Sequence, residues 1–234
     1  MTRQLSIVVG AGSGLGKALA IKLAKSGEAV LLIGRNREKL EHVKSLCSDS
    51  DVYTFSADMS RRADAAAALD YAINLQRPLR VVICCAGDPA FAPIGAIADE
   101  DIRVAMDGNL LATIFCTQEA LRAFRQTGSA GRIVLVLSTA AQIAREKEPL
   151  YAAAKWGARG FFLSVREALK GDPVQISAIY PGGMKTEFWD RDSHLKPNTK
   201  TYMAPEDVAE VIVQNIDKIG STIVSELVIT RGAQ

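Results

Sequence analysis

The sequence predicts an α/β protein with one doubly wound parallel sheet of about seven strands and helices on both faces. Short apolar runs alternate with segments of helical periodicity along the chain, the pattern of a parallel sheet with crossover helices. A glycine-rich turn directly follows the first apolar run. No linker composition divides the 234 residues, so we expect a single domain over 1–234.

Each strand is predicted from a short apolar run bounded by turn-forming residues. The runs are 5–9, 28–33, 52–56, 79–84, 132–137, 174–180 and 223–229. Helices are predicted after the first glycine turn, at 38–46, 63–74, 99–125 and 151–169, and from Pro205 onward. The region 184–203 has no clear period, and so long a connection is typical of a lid or binding loop.

The composition supports a large core and excludes several classes of partner. Hydrophobic residues make up 48% of the chain, and the net charge of +2 gives no basis for binding nucleic acid or an anionic membrane surface. No apolar run is long enough to span a membrane, and the N-terminal run is too short for a signal peptide. We therefore expect a soluble, cytoplasmic protein. The cysteines and histidines lack metal-ligand spacing, so we expect no metal site, and the adjacent Cys84 and Cys85 are interpreted as core residues.

The glycine-rich turn predicts a phosphate site of the Rossmann type. Gly10, Gly14 and Gly16 give the spacing Gly-x3-Gly-x-Gly, with Ser13 and Leu15 between them. A strand that enters a helix through such a turn brings backbone N–H groups close to an anion at the helix N-terminus. Glycines here can also be purely structural, but their number and context favour nucleotide binding.

Arg35 lies where the second strand ends, at the position where an acidic residue holds a ribose 2′-hydroxyl in NAD-binding proteins. No acid is present there, and a guanidinium suits a 2′-phosphate, so we favour NADP over NAD. The alternative is that Arg35 and Arg37 are ordinary solvated charges.

Asp58 follows the third strand, and two interpretations of it stay open. It either accepts a hydrogen bond from an adenine amino group or, like Ser60, caps the next helix. Ser138 ends the fifth strand and is expected to point into a ligand crevice, or else to serve as a cap.

Tyr151 and Lys155 are four residues apart in a predicted helix and therefore share one face. A neighbouring ammonium favours phenolate and lowers the pKa of tyrosine, which makes the phenol a usable proton donor. This spacing is common by chance and gains weight only from the residues around it.

Together these motifs resemble the short-chain dehydrogenase/reductase family over essentially the whole chain. The matches are Gly10-x3-Gly14-x-Gly16, Asp58, Ala86-Gly87, Asn109, Ser138, Tyr151-x3-Lys155 and Pro181-Gly182. The resemblance implies that Tyr151 is the general acid/base, that Ser138 holds the substrate oxygen, and that Asn109 anchors a water that relays protons through Lys155. It also implies that Lys155 binds the nicotinamide ribose and lowers the pKa of Tyr151. The implied cofactor residues are Gly10, Ser13, Gly14, Leu15, Gly16, Arg35, Asp58, Met59, Ala86, Gly87, Tyr151, Lys155, Pro181, Gly182 and Thr186.

Four positions depart from the family pattern. Val9 replaces a threonine, Cys84-Cys85 replaces an Asn-Asn pair, and Ser13 replaces a basic residue of some NADP-preferring members. Because apolar packing can replace a polar contact at little cost, we expect weaker cofactor binding at worst.

The leading hypothesis is an NADP-dependent carbonyl reductase or alcohol dehydrogenase acting on a small molecule. The alternative is a non-catalytic NADP-binding regulator or scaffold, since fold alone does not establish activity. Reduction of an activated double bond is a third possibility, and sugar dehydration a less favoured one. Phe188 and Trp189 either line a substrate pocket or pack the loop against the domain, and the resemblance implies a homodimer or homotetramer.

Overall fold

The structure, a computed structural model, describes residues 3–47, 50–191, 194–216 and 222–232. Its centre is a seven-stranded sheet in which every neighbouring pair is parallel, which confirms the predicted fold class. The strands are β1 (Leu5–Val9), β2 (Ala29–Gly34), β3 (Val52–Ser56), β4 (Leu79–Cys84), β5 (Gly131–Val136), β6 (Val174–Pro181) and β7 (Glu226–Ile229).

The strand order is β3-β2-β1-β4-β5-β6-β7. The chain builds outward from β1 to β3, returns to the other side of β1 with β4, and then builds outward to β7. Open parallel sheets bind their ligands where the order reverses, outside the carboxyl ends of the strands. The fold therefore places a ligand crevice beside the ends of β1 and β4.

Helices cover both faces of the sheet. The helices are α1 (Gly14–Lys25), α2 (Arg37–Ser45), α3 (Arg62–Asn74), α4 (Asp99–Met106), α5 (Ala112–Thr127), α6 (Pro149–Ala168) and α7 (Pro205–Ile216). Helices α1, α2 and α7 share one buried cluster, and α3, α5 and α6 share the other. Neighbouring residues of β1 belong to different clusters: Ile7 packs on the α5 side of the sheet and Val8 on the α1 side. Because both faces are covered, β1, β2, β4, β5 and β6 are buried along nearly their whole length.

The predicted helix over 99–125 is interrupted. A π-helical turn spans Asp107–Leu111 and separates α4 from α5. Within it the carbonyl of Asn109 accepts a hydrogen bond from the Thr113 hydroxyl at 2.9 Å. An inserted side-chain contact of this kind accompanies local irregularity, and π turns are frequent at functional sites.

Several other boundaries differ from the prediction by one to three residues. The last strand is shorter than 223–229, because the Ser177 hydroxyl, rather than a backbone group, donates to the Val224 carbonyl at 2.7 Å. Helix α6 begins at Pro149 rather than Tyr151, since proline is well suited to the first helical position. Among the residues that the structure describes, no helix is long and apolar enough to cross a membrane.

Candidate active site

A cleft of about 870 Å³ lies along the carboxyl-terminal edge of the sheet. Its lining includes every residue predicted to bind cofactor and three of the four predicted catalytic residues. These are Gly10, Ser13, Gly14, Leu15, Gly16, Arg35, Asp58, Met59, Ala86, Gly87, Ser138, Tyr151, Lys155, Pro181, Gly182 and Thr186. The fourth, Asn109, is fully buried beside this lining.

The turn between β1 and α1 requires glycine at defined places. Gly14 has a positive φ of 52°, and its α-carbon faces the Thr186 side chain, whose methyl would lie 3.2 Å from an added Cβ. A Cβ at Gly16 would overlap the carbonyl oxygen of Gly10. Helix α1 therefore starts directly against the turn, and its N-terminus faces the cleft. This cradle fits the diphosphate of a dinucleotide, as the sequence predicts.

Arg35 follows β2 at the cleft, as expected, but it has a partner that sequence analysis did not find. Its Nη2 donates to Oδ1 of Asp88 at 2.8 Å, and this hydrogen bond raises the pKa of the guanidinium. Arg191 Nη1 donates to the same Asp88 oxygen at 2.7 Å, and its Nη2 donates to the Gly87 carbonyl at 3.1 Å.

Asp58 lines the cleft and does not cap the following helix. Its Oδ1 accepts from the backbone N–H of Ser60 at 3.0 Å and from the Ser60 hydroxyl at 2.7 Å. Helix α3 starts at Arg62, with Arg61 at the N-cap and no side-chain cap. The side chain thus closes a local turn, which holds it at the edge of the cleft.

Ser138, Tyr151 and Lys155 converge on one wall. Ser138 follows β5 and accepts from the Ala140 N–H at 3.1 Å, so it also caps the short 3₁₀ turn Thr139–Ala141. Tyr151 and Lys155 lie one turn apart in α6, and the Lys155 Nζ is 5.5 Å from the centre of the Tyr151 ring. The helical spacing therefore does place the ammonium beside the phenol.

The electrostatics of this pair differ from the expectation. Burial raises the pKa of Tyr151, although its hydrogen bond with Ser138 acts in the opposite direction. Burial also lowers the pKa of Lys155 to about 8, against favourable effects of Cys84, Cys85 and Asp88. The cation that acts to lower the Tyr151 pKa is Arg145, and desolvation, which disfavours phenolate, outweighs it.

Asn109 sits in the π turn and is fixed by two hydrogen bonds. Its Nδ2 donates to the Asp88 carbonyl at 2.9 Å and to the Ala105 carbonyl at 3.0 Å. Its Oδ1 is buried and has no hydrogen-bond partner among the described residues. A Cβ at Gly87 would lie 3.1 Å from this oxygen and 3.5 Å from the Lys155 Nζ. The oxygen is therefore an available acceptor close to Lys155, which fits the relay water implied by the family resemblance.

The floor of the cleft keeps its backbone pairing despite the unusual residues at 9, 84 and 85. The N–H of Cys85 donates to the Val9 carbonyl at 2.9 Å. Cys84 is buried in the core, as expected, whereas Cys85 reaches the cleft. All four cysteines are free thiols.

The loop after β6 both lines the cleft and packs against the domain, so the two interpretations of its aromatic pair combine. The Phe188 ring lies 5.8 Å from that of Tyr151, and the Trp189 ring stacks on Phe91 at 5.6 Å. The Trp189 Nε1 donates to the Met184 carbonyl at 2.9 Å, which fixes the indole.

Sequence reasoning missed several residues in or beside the cleft. Asp88 directly follows the recognised Ala86-Gly87 pair, and Phe91 stands in a proline-containing loop with no periodic signal. Arg145 donates to the Thr139 hydroxyl at 2.9 Å and pairs with Glu148 at 3.3 Å. Only the adjacency of Asp88 to Gly87 offered a local clue, since the other positions depend on how loops fold over the sheet.

Comparison with known proteins agrees with the family that the sequence motifs resemble. The sequence profile described as short chain dehydrogenase matches residues 4–196. A sepiapterin reductase from Chlorobaculum tepidum is 27% identical, over 97% of this chain and 96% of that protein. A hydroxynaphthalene reductase-like protein from Metarhizium robertsii is 30% identical, over 89% of this chain and 79% of that protein.

Solved structures share the fold along nearly the full length. A short-chain dehydrogenase/reductase from Vibrio parahaemolyticus is 31% identical with a TM-score of 0.85, covering 98% of this chain and 97% of that one. An alcohol dehydrogenase from Thermococcus sibiricus, solved with 5-hydroxy-NADP, is 22% identical with a TM-score of 0.88, covering 99% and 98%. At that identity the second likeness concerns the fold alone.

Proposed function

The chain belongs to the short-chain dehydrogenase/reductase family of oxidoreductases, and on that premise we propose that it transfers hydride between NADP(H) and a carbonyl or alcohol substrate. The observation that carries the proposal is the convergence of Ser138, Tyr151 and Lys155 on one wall of a cleft whose other half is the glycine cradle. A binding module has no chemical need for that trio.

The cofactor, when bound, supplies the hydride chemistry. The protein supplies position and a proton. Tyr151 carries a proton on its phenol oxygen, because burial raises its pKa, and donates it to the substrate oxygen as negative charge develops there. The Ser138 hydroxyl orients and stabilises that same oxygen. Lys155 lies beside the phenol, and Asn109 offers its unpaired oxygen to the path by which the proton is replaced.

The residues at the end of β2 support binding of NADP rather than NAD. The cleft there is lined by Gly34, Arg35, Asn36 and Lys39, with no carboxylate among them. Two cations and an amide favour the additional phosphate of NADP, and a carboxylate that would hold a ribose 2′-hydroxyl is missing from this strand end.

The substrate side supports an apolar carbonyl compound. Phe91 and Phe188 pack edge-on against the Tyr151 ring, and Trp189 packs against both of them. These faces exclude water around the reacting oxygen and suit a flat or apolar body next to the carbonyl. The relatives from Chlorobaculum tepidum and Metarhizium robertsii are reductases by name, which favours the reductive direction.

Replacing Tyr151 by phenylalanine tests this proposal. We expect Tyr151→Phe to lower kcat by about 10²–10⁴-fold, the usual contribution of a positioned general acid, while NADPH still binds. The assay is NADPH oxidation over a panel of aromatic and aliphatic carbonyl compounds, with Tyr71→Phe in α3 as the matched control. Unchanged turnover in Tyr151→Phe contradicts the assignment. Wild-type protein that binds NADPH but turns over no compound supports the non-catalytic alternative.

A further inference from the structure

Three charged residues form a cluster across the cleft. Asp88 Oδ1 accepts from Arg35 Nη2 at 2.8 Å and from Arg191 Nη1 at 2.7 Å. Arg35 follows β2 and Asp88 follows β4, whereas Arg191 ends the 3₁₀ turn Glu187–Arg191 in the loop after β6. One carboxylate oxygen thus joins the nucleotide side of the cleft to the segment Glu187–Arg191 after β6, which we call the substrate loop.

The topology shows what the Arg35–Asp88 bridge crosses. Strands β2 and β4 are the two neighbours of β1. Because neighbouring strands are about 4.8 Å apart, the bridge spans about 10 Å over the carboxyl end of β1. The glycine cradle begins at that end. A dinucleotide whose diphosphate rests in the cradle and whose adenosine extends toward β2 must pass through the line of this bridge.

The two side chains of the bridge differ in exposure and in how tightly their neighbours hold them. The Asp88 side chain is 14% exposed, whereas that of Arg35 is 57% exposed. Asp88 is held against the π turn, because a Cβ at Gly108 would lie only 2.5 Å from its Oδ2 and because its carbonyl accepts from Asn109 at 2.9 Å. Arg191 is also tied to the Gly87 carbonyl at 3.1 Å. When the bridge opens, Arg35 is therefore the residue that swings away, and Asp88 keeps Arg191.

We propose that Asp88 determines nucleotide affinity as the displaceable counter-ion of Arg35, and that through Arg191 it also fastens the substrate loop. Binding of either NADPH or NADH opens the Arg35–Asp88 bridge. Only NADPH offers the released guanidinium a new anion, its 2′-phosphate. The inference rests on the proposed use of a nicotinamide dinucleotide and deepens it by naming what the nucleotide displaces.

NADH is the probe that isolates the bridge, because it lacks the 2′-phosphate. We expect Asp88→Asn and Arg35→Ala each to tighten NADH binding by up to about fivefold, the upper end for an exposed ion pair, measured by calorimetry at low salt. The double variant should bind NADH no more tightly than either single variant. Asp70→Asn is the matched control, since Asp70 pairs with Arg122 at 2.7 Å away from the cleft.

The sign of the Arg35→Ala effect decides between explanations. If Asp88 merely repels phosphate groups, removing the nearby cation weakens NADH binding, and Asp88→Asn still tightens it in the Arg35→Ala background. Either result, or an unchanged NADH affinity in Arg35→Ala, overturns the displaceable bridge.

The role of Asp88 in holding the substrate loop through Arg191 can be tested without any nucleotide. Chymotryptic cleavage after Phe188 or Trp189, followed by mass spectrometry, should be faster in Asp88→Asn than in wild type. It should be unchanged in Arg35→Ala, which keeps the Asp88–Arg191 pair. Equal cleavage in all three proteins contradicts the fastening role. If the wild type binds neither NADPH nor NADH, the proposed function fails, and this comparison still tests Asp88 by itself.

Discussion

Burying Lys155 at the candidate active site lowers the stability of the folded protein. It is 2% exposed, and burial lowers its pKa from the ordinary 10.5 to about 8. Below pH 8 the folded protein must hold a charged ammonium in a site that disfavours it. This corresponds to about 3 kcal/mol of folding free energy at neutral pH, at 1.4 kcal/mol for each pKa unit.

Lys155→Met should therefore stabilise the protein at pH 7 while abolishing turnover. Between about pH 8 and 10.5 the unfolded wild type binds more protons than the folded one, so wild-type stability rises with pH across that window. The variant lacks this rise. Its free energy of unfolding should therefore exceed that of the wild type by up to about 3 kcal/mol at pH 7, and this difference should shrink toward zero as the pH rises. Urea unfolding of both proteins at pH 7 and pH 9.5 measures the difference. An advantage that does not change with pH would show that Lys155 titrates normally.

The glycine cradle is the element on which the cofactor half of the site depends. Its glycines are not equivalent, because each meets different neighbours. A Cβ at Gly16 would overlap the backbone oxygen of Gly10, whereas a Cβ at Gly12 would lie 3.3 Å from the Cβ of Lys39. The overlap at Gly16 is far more severe and is with backbone, so the start of α1 must move when Gly16 changes.

Gly16→Ala should destabilise the protein by about 1–3 kcal/mol, as overpacking does, and weaken nucleotide binding. Gly12→Ala, in the same turn, should cost less than about 1 kcal/mol because the 3.3 Å contact with the Lys39 Cβ is relieved by a shift of a few tenths of an ångström. Denaturant unfolding curves of the two variants give the comparison. Equal losses of stability would mean that the turn adapts as a whole and that close approach at Gly16 is unimportant.

The π turn is a second element whose role depends on tertiary contacts. It widens the helix at Asn109 and lets its amide reach the carbonyls of both Ala105 and Asp88. Helical periodicity alone predicts an unbroken helix here, because a π turn adds no change in composition. The buried position of Asn109 follows from packing between β4 and α6.

At the scale of the whole molecule, one side of α6 is open. Its exposed residues are Ala153, Trp156, Gly157, Gly160, Ser164, Glu167 and Ala168. Most are small, and no atom of the residues that the structure describes lies within 4 Å of a Cβ placed on Gly160. Small residues permit the close approach of another helix, and Trp156, which is 46% exposed, supplies apolar area. The family resemblance implies a homodimer or homotetramer, and we propose that a second copy of the chain packs against this face.

Gly160→Arg should leave the protomer folded but shift it to a smaller species in sedimentation velocity. The Cβ that the substitution introduces meets no atom of the described residues within 4 Å, and replacing a helix-interior glycine adds roughly 1 kcal/mol of helix stability. Gln214→Arg, at an exposed position of α7, is the matched control. A variant with wild-type sedimentation would place the interface elsewhere or exclude one.

The sequence by itself determined the order of strands and helices, the cradle at Gly10–Gly16 and the pairing of Tyr151 with Lys155. These features follow from alternation of apolar runs, turn chemistry and helical spacing, all of which act over a few residues. Only the tertiary structure decided that Asp88 joins Arg35 to Arg191, which lie 53 and 103 residues away from it along the chain. It also decided that burial raises the pKa of Tyr151 despite the nearby Arg145. Ion pairing and desolvation depend on which distant segments meet, and no local pattern encodes that meeting.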